Sequence, residues 1–423
     1  MTFDMKRLKW TLIAAAIALL TFSCGETQPE DIDDGDNTFN PISLTTKQTG
    51  FVQSGNRFAM DFIAKVDSYA VAQKDDDWFI SPLSLQVALG MLLNGAQGET
   101  AAEICKMLGY VEKDVAEVNE WCRLMLDQLP TIDKKTKLKL ADAIFYNKSY
   151  TLKTPYRDAV VKWYDAELQA LDFGKTKASA DAINKWCDKQ TEGMVPHVLD
   201  EVDPIAVAYL VNALYFKSQW TEKFDKGNTG SENFTTAKGT KKKVKMMKLD
   251  GKKFSYGEND LCQAVSLPYG NKAYSMTVLL PKGKYTVHDI ASSLGKENAI
   301  PLTGAVEVDL WLPKFETKYH IELNDILQSL GMKLSFIPGK ADFKAMCDKD
   351  LYVDFVQQDT AIKVDEEGSE AAAVTVIGMK DATAISMPPK KAVFHADHPF
   401  LYLIREQSTG VTLFAGIYTG DGK

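Results

Sequence analysis

The sequence predicts a single mixed α+β domain, and three observations support this prediction. Helix-like apolar spacing dominates the first half of the chain, whereas strand-like stretches dominate the second half. No linker follows Asn40, so the 423 residues offer no boundary between two domains. The composition is 45% hydrophobic and 25% charged, as in ordinary globular proteins, which excludes a wholly disordered or collagenous chain.

Residues 1–23 have the features of a secretory signal peptide. Basic residues precede an apolar run at 10–20, which is too short to span a bilayer permanently. Cys24 follows this run, as in a bacterial lipoprotein signal, although Thr21 replaces the usual Leu. We therefore expect an exported protein that is lipidated at Cys24, with simple secretion as the alternative.

Residues 24–40 form an acidic tether that is solvated and self-repelling. An acidic run directly after the lipidated cysteine resembles the surface-export signal of some bacterial lipoproteins. This resemblance implies an outer-membrane anchor with the domain on the cell surface, and a plain spacer is the alternative. The domain itself is predicted at 41–423.

The charge and the cysteine count exclude further classes of protein. Residues 1–23 carry three basic residues and one acidic residue, so their removal changes the net charge from −8 to −10. A general nucleic-acid binder is disfavoured at this charge. Six cysteines are too few for a disulfide scaffold, and we expect most of those after Cys24 to be small buried residues.

No catalytic motif is present in the sequence. It contains no nucleophile elbow, zinc-protease helix or phosphate loop, and nothing indicates a Ser-His-Asp triad. On a strand, His395 and Asp397 would share one face while His398 points to the other, so these residues would not form a metal site. We therefore expect no enzymatic activity, no metal and no cofactor.

Apolar spacing and stop signals predict the elements of the first half. Ser-Pro at 81–82 ends a short strand, and Ser84 is predicted to cap the following helix. Gly109 is predicted to end the next helix. Helices are predicted at 57–75, 85–93, 96–109 and 180–191, and strands at 78–80 and 137–145.

The second half is richer in predicted strands. Residues 205–217 begin like a helix and continue as a buried strand, and 263–280 resemble a hairpin with its turn at 268–271. A helix is predicted at 320–330 and ends at Gly331. Further strands are predicted at 306–313, 361–364, 400–405 and 411–418.

Residues 366–393 are unusually long for a segment without structure of its own, and such segments are usually functional. Alternate residues form one small or apolar, uncharged face, which is typical of a strand that can enter the middle of a sheet. Gly368 is predicted to be a hinge, and Pro388-Pro389 could not continue such a strand. An edge strand followed by a linker is the alternative. The face comprises Ser369, Ala371, Ala373, Thr375 and Ile377.

Several segments together resemble the serpin family, in the right order and over residues 51–423. They are 184–193, 210–217 with Trp220, 312–315, 365–373 and 394–400. The resemblance implies the serpin fold, with three β-sheets, about eight or nine helices and an exposed reactive-centre loop at about 366–393.

The resemblance also implies a function. The loop would serve as bait for a serine endopeptidase, with cysteine endopeptidases as a further class, and would then insert into the central sheet while the protease is acylated. The partner would be a target protease, and the protein would be a monomer without cofactors. The alternatives are a non-inhibitory serpin, and a surface binding lipoprotein or hydrolase with an unrecognised site.

Family roles can be assigned to individual positions. The hinge residues would be Glu366, Gly368, Ser369, Ala371 and Ala373, and Trp220 would lie under the insertion point of the loop. The sheet would part at a polar cluster that often includes a histidine. Gln358 takes that position here, so any pH-dependent opening by a histidine would be lost. The cluster, called the sheet-opening cluster below, comprises Ser81, Ser84, Asn212 and Gln358.

The scissile bond is predicted by counting from the hinge. About seventeen residues from Glu366, the usual spacing in inhibitory serpins, gives Ala382-Thr383, which would suit elastase- or subtilisin-like proteases. The loop is about six residues longer than usual, however, and counting backwards from Phe394 gives Pro388, a poor site. The alternatives are Lys380 for a trypsin-like protease, Met379 for a chymotrypsin-like protease, and Asp381.

Overall fold

A computed structural model describes residues 37–75, 77–111, 114–296, 299–354, 356–369 and 391–422. The signal segment, Cys24, most of the tether and residues 370–390 of the loop lie outside the described residues. Within the described ranges, no helix combines the length and apolar character needed to cross a membrane.

Eight α-helices occur in the described part of the chain, within the range implied by the resemblance. The first begins with a capping box between Thr45 and Gln48, and the third ends at Gly109 in the left-handed conformation, as predicted. The helices are α1 (Thr46–Gln73), α2 (Pro82–Leu93), α3 (Gly98–Leu108), α4 (Val115–Gln128), α5 (Thr154–Tyr164), α6 (Thr176–Gln190), α7 (Val287–Ala291) and α8 (Asn324–Leu330).

The described strands form one sheet of nine strands and one of six. The nine-stranded sheet contains β1 (Trp78–Ile80), β5 (Gly230–Thr235), β6 (Lys241–Glu258), β7 (Cys262–Tyr269), β8 (Tyr274–Pro281), β9 (Gly304–Pro313), β13 (Lys391–His395), β14 (Phe400–Glu406) and β15 (Thr412–Tyr418). The six-stranded sheet, called the central sheet below, contains β2 (Thr136–Asn147), β3 (Glu167–Leu171), β4 (Ala208–Gln219), β10 (Phe315–Glu322), β11 (Gln357–Val364) and β12 (Gly368–Ser369). Its strand order is β10-β11-β12-β4-β2-β3.

Three sheets were expected, and the described strands form two because β6 is continuous. This strand has 18 residues, with a register shift between Leu249 and Lys252. It pairs with β5 at its N-terminal end, with β9 from Met246 to Tyr256, and with β7 at its C-terminal end. A bulge can bend a strand without ending its ladder, so two expected sheets are joined into one.

Three local predictions were wrong, for identifiable reasons. Ser84 does not cap α2, because Pro82 occupies the first turn and the side chain of Ser81 accepts the hydrogen bond from the amide of Ser84. His320 lies in β10, and the helix predicted from that residue begins at Asn324. Ile205 lies in a turn after Pro204 and is 75% exposed, so its apolar character did not indicate a helix.

The described core is continuous from α1 and α2 to the strands of both sheets. A second, smaller core lies between α6 and the central sheet, so α6 covers the outer face of β2 and β4. The five cysteines after Cys24 are all buried thiols, in agreement with the sequence prediction; they are Cys105, Cys122, Cys187, Cys262 and Cys347.

Candidate functional site

The short strand β12 places the start of the long loop inside the central sheet. Gly368 and Ser369 pair antiparallel with Gln219 and Ser218 of β4, and Ser369 also pairs with Val364 of β11. The loop therefore enters between two strands that are parallel to each other, and its direction is antiparallel to both.

Gly368 is required at this position because two backbones approach closely. A Cβ atom built there would lie 1.9 Å from the carbonyl oxygen of Ser218 and 2.7 Å from the Cα atom of Gln219. Backbone atoms cannot move aside as a flexible side chain can. Glycine was predicted here as a hinge, and the structure shows that the position also excludes any side chain.

Ser369 is fully buried, and its hydroxyl contacts the hydroxyl of Tyr269 at 2.6 Å. Burial raises the pKa of Tyr269, so this phenol is neutral and can share a hydrogen bond with the serine. The ring of Trp220 stacks on Tyr269 at 4.3 Å, and its Nε1 donates to the carbonyl of Asp365 at 2.9 Å. Trp220 thus contacts the chain just before β12 and the tyrosine that binds Ser369.

Two glutamates fix the chain just before β12. Glu366 accepts hydrogen bonds from Lys314 Nζ at 2.6 Å and Thr229 Oγ1 at 2.8 Å, and its side chain is 6% exposed. Burial alone would raise its pKa, but these hydrogen bonds outweigh burial and hold the pKa of Glu366 below its ordinary value. Glu367 forms ion pairs with Lys223 and Lys226 at 3.1 and 3.2 Å.

The structure brings the four residues of the sheet-opening cluster together. Gln358 Oε1 accepts from the amide of Ser81 at 2.8 Å, and Gln358 Nε2 donates to the carbonyl of Ser81 at 2.9 Å. The hydroxyl of Ser84 donates to Asn212 Oδ1. The cluster therefore connects α2 to β11 through Ser81 and to β4 through Ser84.

Below Ser369, β4 has a strand partner on one side only, as far as the described residues show. It pairs with β2 along its length, whereas no ladder between β4 and β11 occurs in the described ranges. Two clefts that open to solvent are lined by both β4 and described residues between 353 and 359. Side chains of β4 that face the main core are only part-buried there, namely Leu210, Asn212, Leu214 and Phe216.

The histidines of the segment at 395–398 each contact one carboxylate. His395 Nε2 lies 3.1 Å from Glu232, and His398 Nδ1 lies 2.8 Å from Asp397. Among the residues that the structure describes, no group of three or more His, Cys, Asp or Glu side chains could hold a metal ion.

Several residues of the site were not assigned by sequence analysis. Lys314 lies in a segment that resembles the family, but its partner Glu366 is 52 positions away, so the pair is invisible in sequence. Tyr269 and Thr229 also contact the hinge from distant positions in the chain, so these contacts could not be found from the sequence either. Ala371, Ala373 and the predicted scissile bond at Ala382-Thr383, with its alternatives Met379, Lys380 and Asp381, lie outside the described residues.

A family model described as "Serpin (serine protease inhibitor)" matches residues 53–419. The chain belongs to the serpin family. Among curated proteins, it is 33% identical over 351 residues to Serpin B6 of Pongo abelii, covering 81% of this chain and 92% of that protein. It is 34% identical over 386 residues to the leukocyte elastase inhibitor of Homo sapiens, covering 86% and 98%.

Solved structures agree with the serpin fold. The thermophilic serpin tengpin in its native state matches with a TM-score of 0.77 and 29% identity, over 90% of this chain and 97% of that one. Tengpin in its latent state matches with a TM-score of 0.72 and 26% identity. Membership of a family of protease inhibitors fits the lack of any catalytic motif in this serpin.

Proposed function

We propose that this serpin inhibits serine endopeptidases, and cysteine endopeptidases as a further class, as a suicide substrate. The protease attacks a loop carbonyl and forms an acyl-enzyme. The cleaved loop then enters the central sheet before water hydrolyses the ester. The observation that supports this proposal most strongly is the position of Gly368 and Ser369, which already pair between β4 and β11.

The register of β12 supports continued insertion. Six residues beyond Ser369, the same register sets Thr375 opposite Asn212 of β4 and Gln358 of β11. Ser369 faces the interior, so alternation directs Ala371, Ala373, Thr375 and Ile377 inward as well. These small or apolar side chains would cover the part-buried face of β4, and the hydroxyl of Thr375 would meet the two amides.

Insertion of the loop would release free energy that can drive displacement of the attached protease. About ten new backbone hydrogen bonds at ~1 kcal/mol each contribute on the order of 10 kcal/mol. Insertion as far as the predicted scissile bond moves the attached protease by roughly 40–50 Å, at about 3.3 Å per residue. Such a displacement would distort the acyl-enzyme before deacylation.

For the target, we propose an elastase- or subtilisin-like protease that cleaves at Ala382-Thr383. The sequence of the loop supports this choice, because a small residue precedes the predicted bond. Cleavage at Lys380 would instead indicate a trypsin-like target, and cleavage at Met379 a chymotrypsin-like target.

Incubation with elastase, subtilisin, trypsin and papain tests the proposal. We expect an SDS-stable covalent complex with at least one of these proteases, and mass spectrometry of the released peptide identifies the bond. Ser369→Arg should convert the inhibitor into a substrate, because a charged side chain cannot occupy this buried position. Ser231→Arg, on an exposed position of β5, is the matched control. Cleavage of the wild type without any complex would identify a non-inhibitory serpin.

We also propose that the serpin is a monomer anchored at the cell surface through a lipid on Cys24. The basic start, the short apolar run and the acidic tether support this location. Metabolic labelling with a radioactive fatty acid should label the wild type, and Cys24→Ala should lose the label and be released from membranes. Gel filtration of the soluble domain measures its oligomeric state.

A further inference from the structure

Asp142 lies beside the sheet-opening cluster, on the neighbouring strand. It is directly opposite Asn212 in the ladder between β2 and β4, and its side chain is buried. Its Oδ1 accepts a hydrogen bond from Asn212 Nδ2 at 2.7 Å. Because Asn212 Oδ1 also accepts from Ser84, one amide connects the carboxyl of Asp142 to α2.

The second carboxyl oxygen of Asp142 is buried without a hydrogen-bond partner among the described residues. An ionised carboxylate needs several donors, whereas a protonated one needs fewer and can itself donate. Burial accordingly raises the pKa of Asp142 to about 7, against the opposing effect of the hydrogen bond from Asn212.

Among the described residues that shift the pKa of Asp142, none carries a positive charge. Asp165, which follows α5, is acidic and raises the pKa further. Cys122 of α4 is a neutral thiol, because burial raises its pKa to about 12. Asn212 of β4 and Ser84 of α2 are uncharged. Protonation is therefore the means by which this site can be neutralised.

We propose that Asp142 is a proton-sensitive positioning residue, and that its protonation makes insertion of the loop between β4 and β11 easier. The inference rests on the proposed function. Insertion would bring Thr375 against Asn212, which is part-buried now, and would exclude water from that side. The inserted state would then hold the proton on Asp142 more strongly than the uninserted state does.

The direction of the pH dependence follows from linkage. A state that binds the proton more tightly is favoured at low pH, so insertion should slow as the pH rises through about 7. The sequence suggested that replacement of a histidine by Gln358 would remove pH-dependent opening. Asp142 supplies a different titratable group at the same place.

The test uses annealing of a synthetic peptide with the sequence of residues 369–379 into the uncleaved protein. Its rate, followed by native gel shift between pH 5.5 and 8.5, requires no protease. For the wild type we expect a roughly three- to tenfold slower rate at pH 8.5 than at pH 6. Asp142→Asn should anneal at a rate that varies little and stays near the acid rate of the wild type.

Two further variants sharpen the test. Asp165→Asn keeps a residue type that tolerates the left-handed backbone there and should move the midpoint to lower pH, because it removes a neighbouring negative charge. Glu406→Gln alters another buried carboxyl group, one that accepts hydrogen bonds from Ser408 and Thr409, and should leave the wild-type pH profile unchanged.

Thermal unfolding provides an independent measurement. The folded pKa of Asp142 is raised, so its contribution to stability is present at low pH and is lost as the pH rises towards and through 7. Asp142→Asn should therefore melt at a higher temperature than the wild type at pH 8.5, with a difference that shrinks towards pH 4.

The inference would be overturned if the annealing rates of Asp142→Asn and the wild type depended on pH in the same way. Absence of annealing at every pH would overturn the proposed function and this inference with it.

Discussion

Under the proposed mechanism of inhibition, replacement of Gly368 by alanine should shift this serpin towards the behaviour of a substrate. The added Cβ would lie 1.9 Å from the carbonyl oxygen of Ser218, so the two backbones must separate by more than about 1 Å to reach an ordinary contact. That separation would break the pairing of β12 with β4 and the contact between Ser369 and Tyr269. The loss of about three hydrogen bonds at ~1 kcal/mol each amounts to ~3 kcal/mol.

The clash should also slow insertion of the loop. In the resting protein the hinge can relieve the clash by leaving the sheet, whereas insertion must seat it between β4 and β11 again. A strain of ~3 kcal/mol then opposes insertion alone and slows it by roughly 100-fold, since each 1.4 kcal/mol is tenfold. Deacylation is unchanged, so the number of inhibitor molecules consumed per protease trapped should rise strongly. Titration of a protease that forms a complex with the wild type measures this number.

The matched control is Gly230→Ala, because a Cβ at Gly230 meets no atom within 4 Å and the residue adjoins Thr229, which binds the hinge glutamate. We expect this variant to titrate like the wild type. If Gly368→Ala and the wild type consume the same number of inhibitor molecules per protease trapped, the reasoning is refuted. Close packing of the hinge against β4 would then have no role in insertion.

Three further predictions concern the hinge contacts and the proposed register of the inserted loop. Trp220→Phe should keep the ring stack on Tyr269 but lose the hydrogen-bond donor to Asp365. We expect this loss to lower the free energy of unfolding, measured by urea denaturation, by about 1 kcal/mol. Unchanged stability would argue against that hydrogen bond. Glu366→Gln should lower the free energy of unfolding at pH 7 by on the order of 1–3 kcal/mol. Because the pKa of Glu366 is lowered in the folded state, this advantage of the wild type should disappear as the pH falls below about 4.5. Parallel curves of stability against pH for the two proteins would contradict this prediction. Thr375→Val should reduce the thermal stability of the loop-cleaved protein but not of the intact protein, and Thr375→Ser is the control. An equal loss of thermal stability in both forms would contradict the proposed register.

The sequence predicted local features of the site better than its long-range contacts. The alternation at 369–377 indicated a strand able to enter a sheet, and the structure places its first residue, Ser369, in the central sheet. The prediction for Gly368 was incomplete, because its contact with Ser218 depends on the approach of two strands that are 150 residues apart in the chain. A glycine alone does not distinguish a flexible hinge from a close approach.

Asp142 shows a signal that was present in the sequence but was not interpreted. It occupies the same face of an alternating strand as Leu138, Leu140 and Ile144, so the alternation places a carboxyl group on the apolar face of the strand. Its contact with Asn212 could not be predicted, because the register between β2 and β4 is set by tertiary packing. The same limit applies to His320, where a short segment was compatible with either a helix or a strand.

The buried thiols have a practical consequence for following the movement of the loop. Burial raises the pKa of Cys122 and Cys187 to about 12 and that of Cys262 to about 11, so their reactive thiolate forms are scarce at neutral pH. Cysteine-directed dyes should therefore react slowly at these positions in the folded protein. A single cysteine introduced into the loop could be labelled selectively without removing the native ones, and its distance to a second label would report the passage of the loop into the sheet in real time.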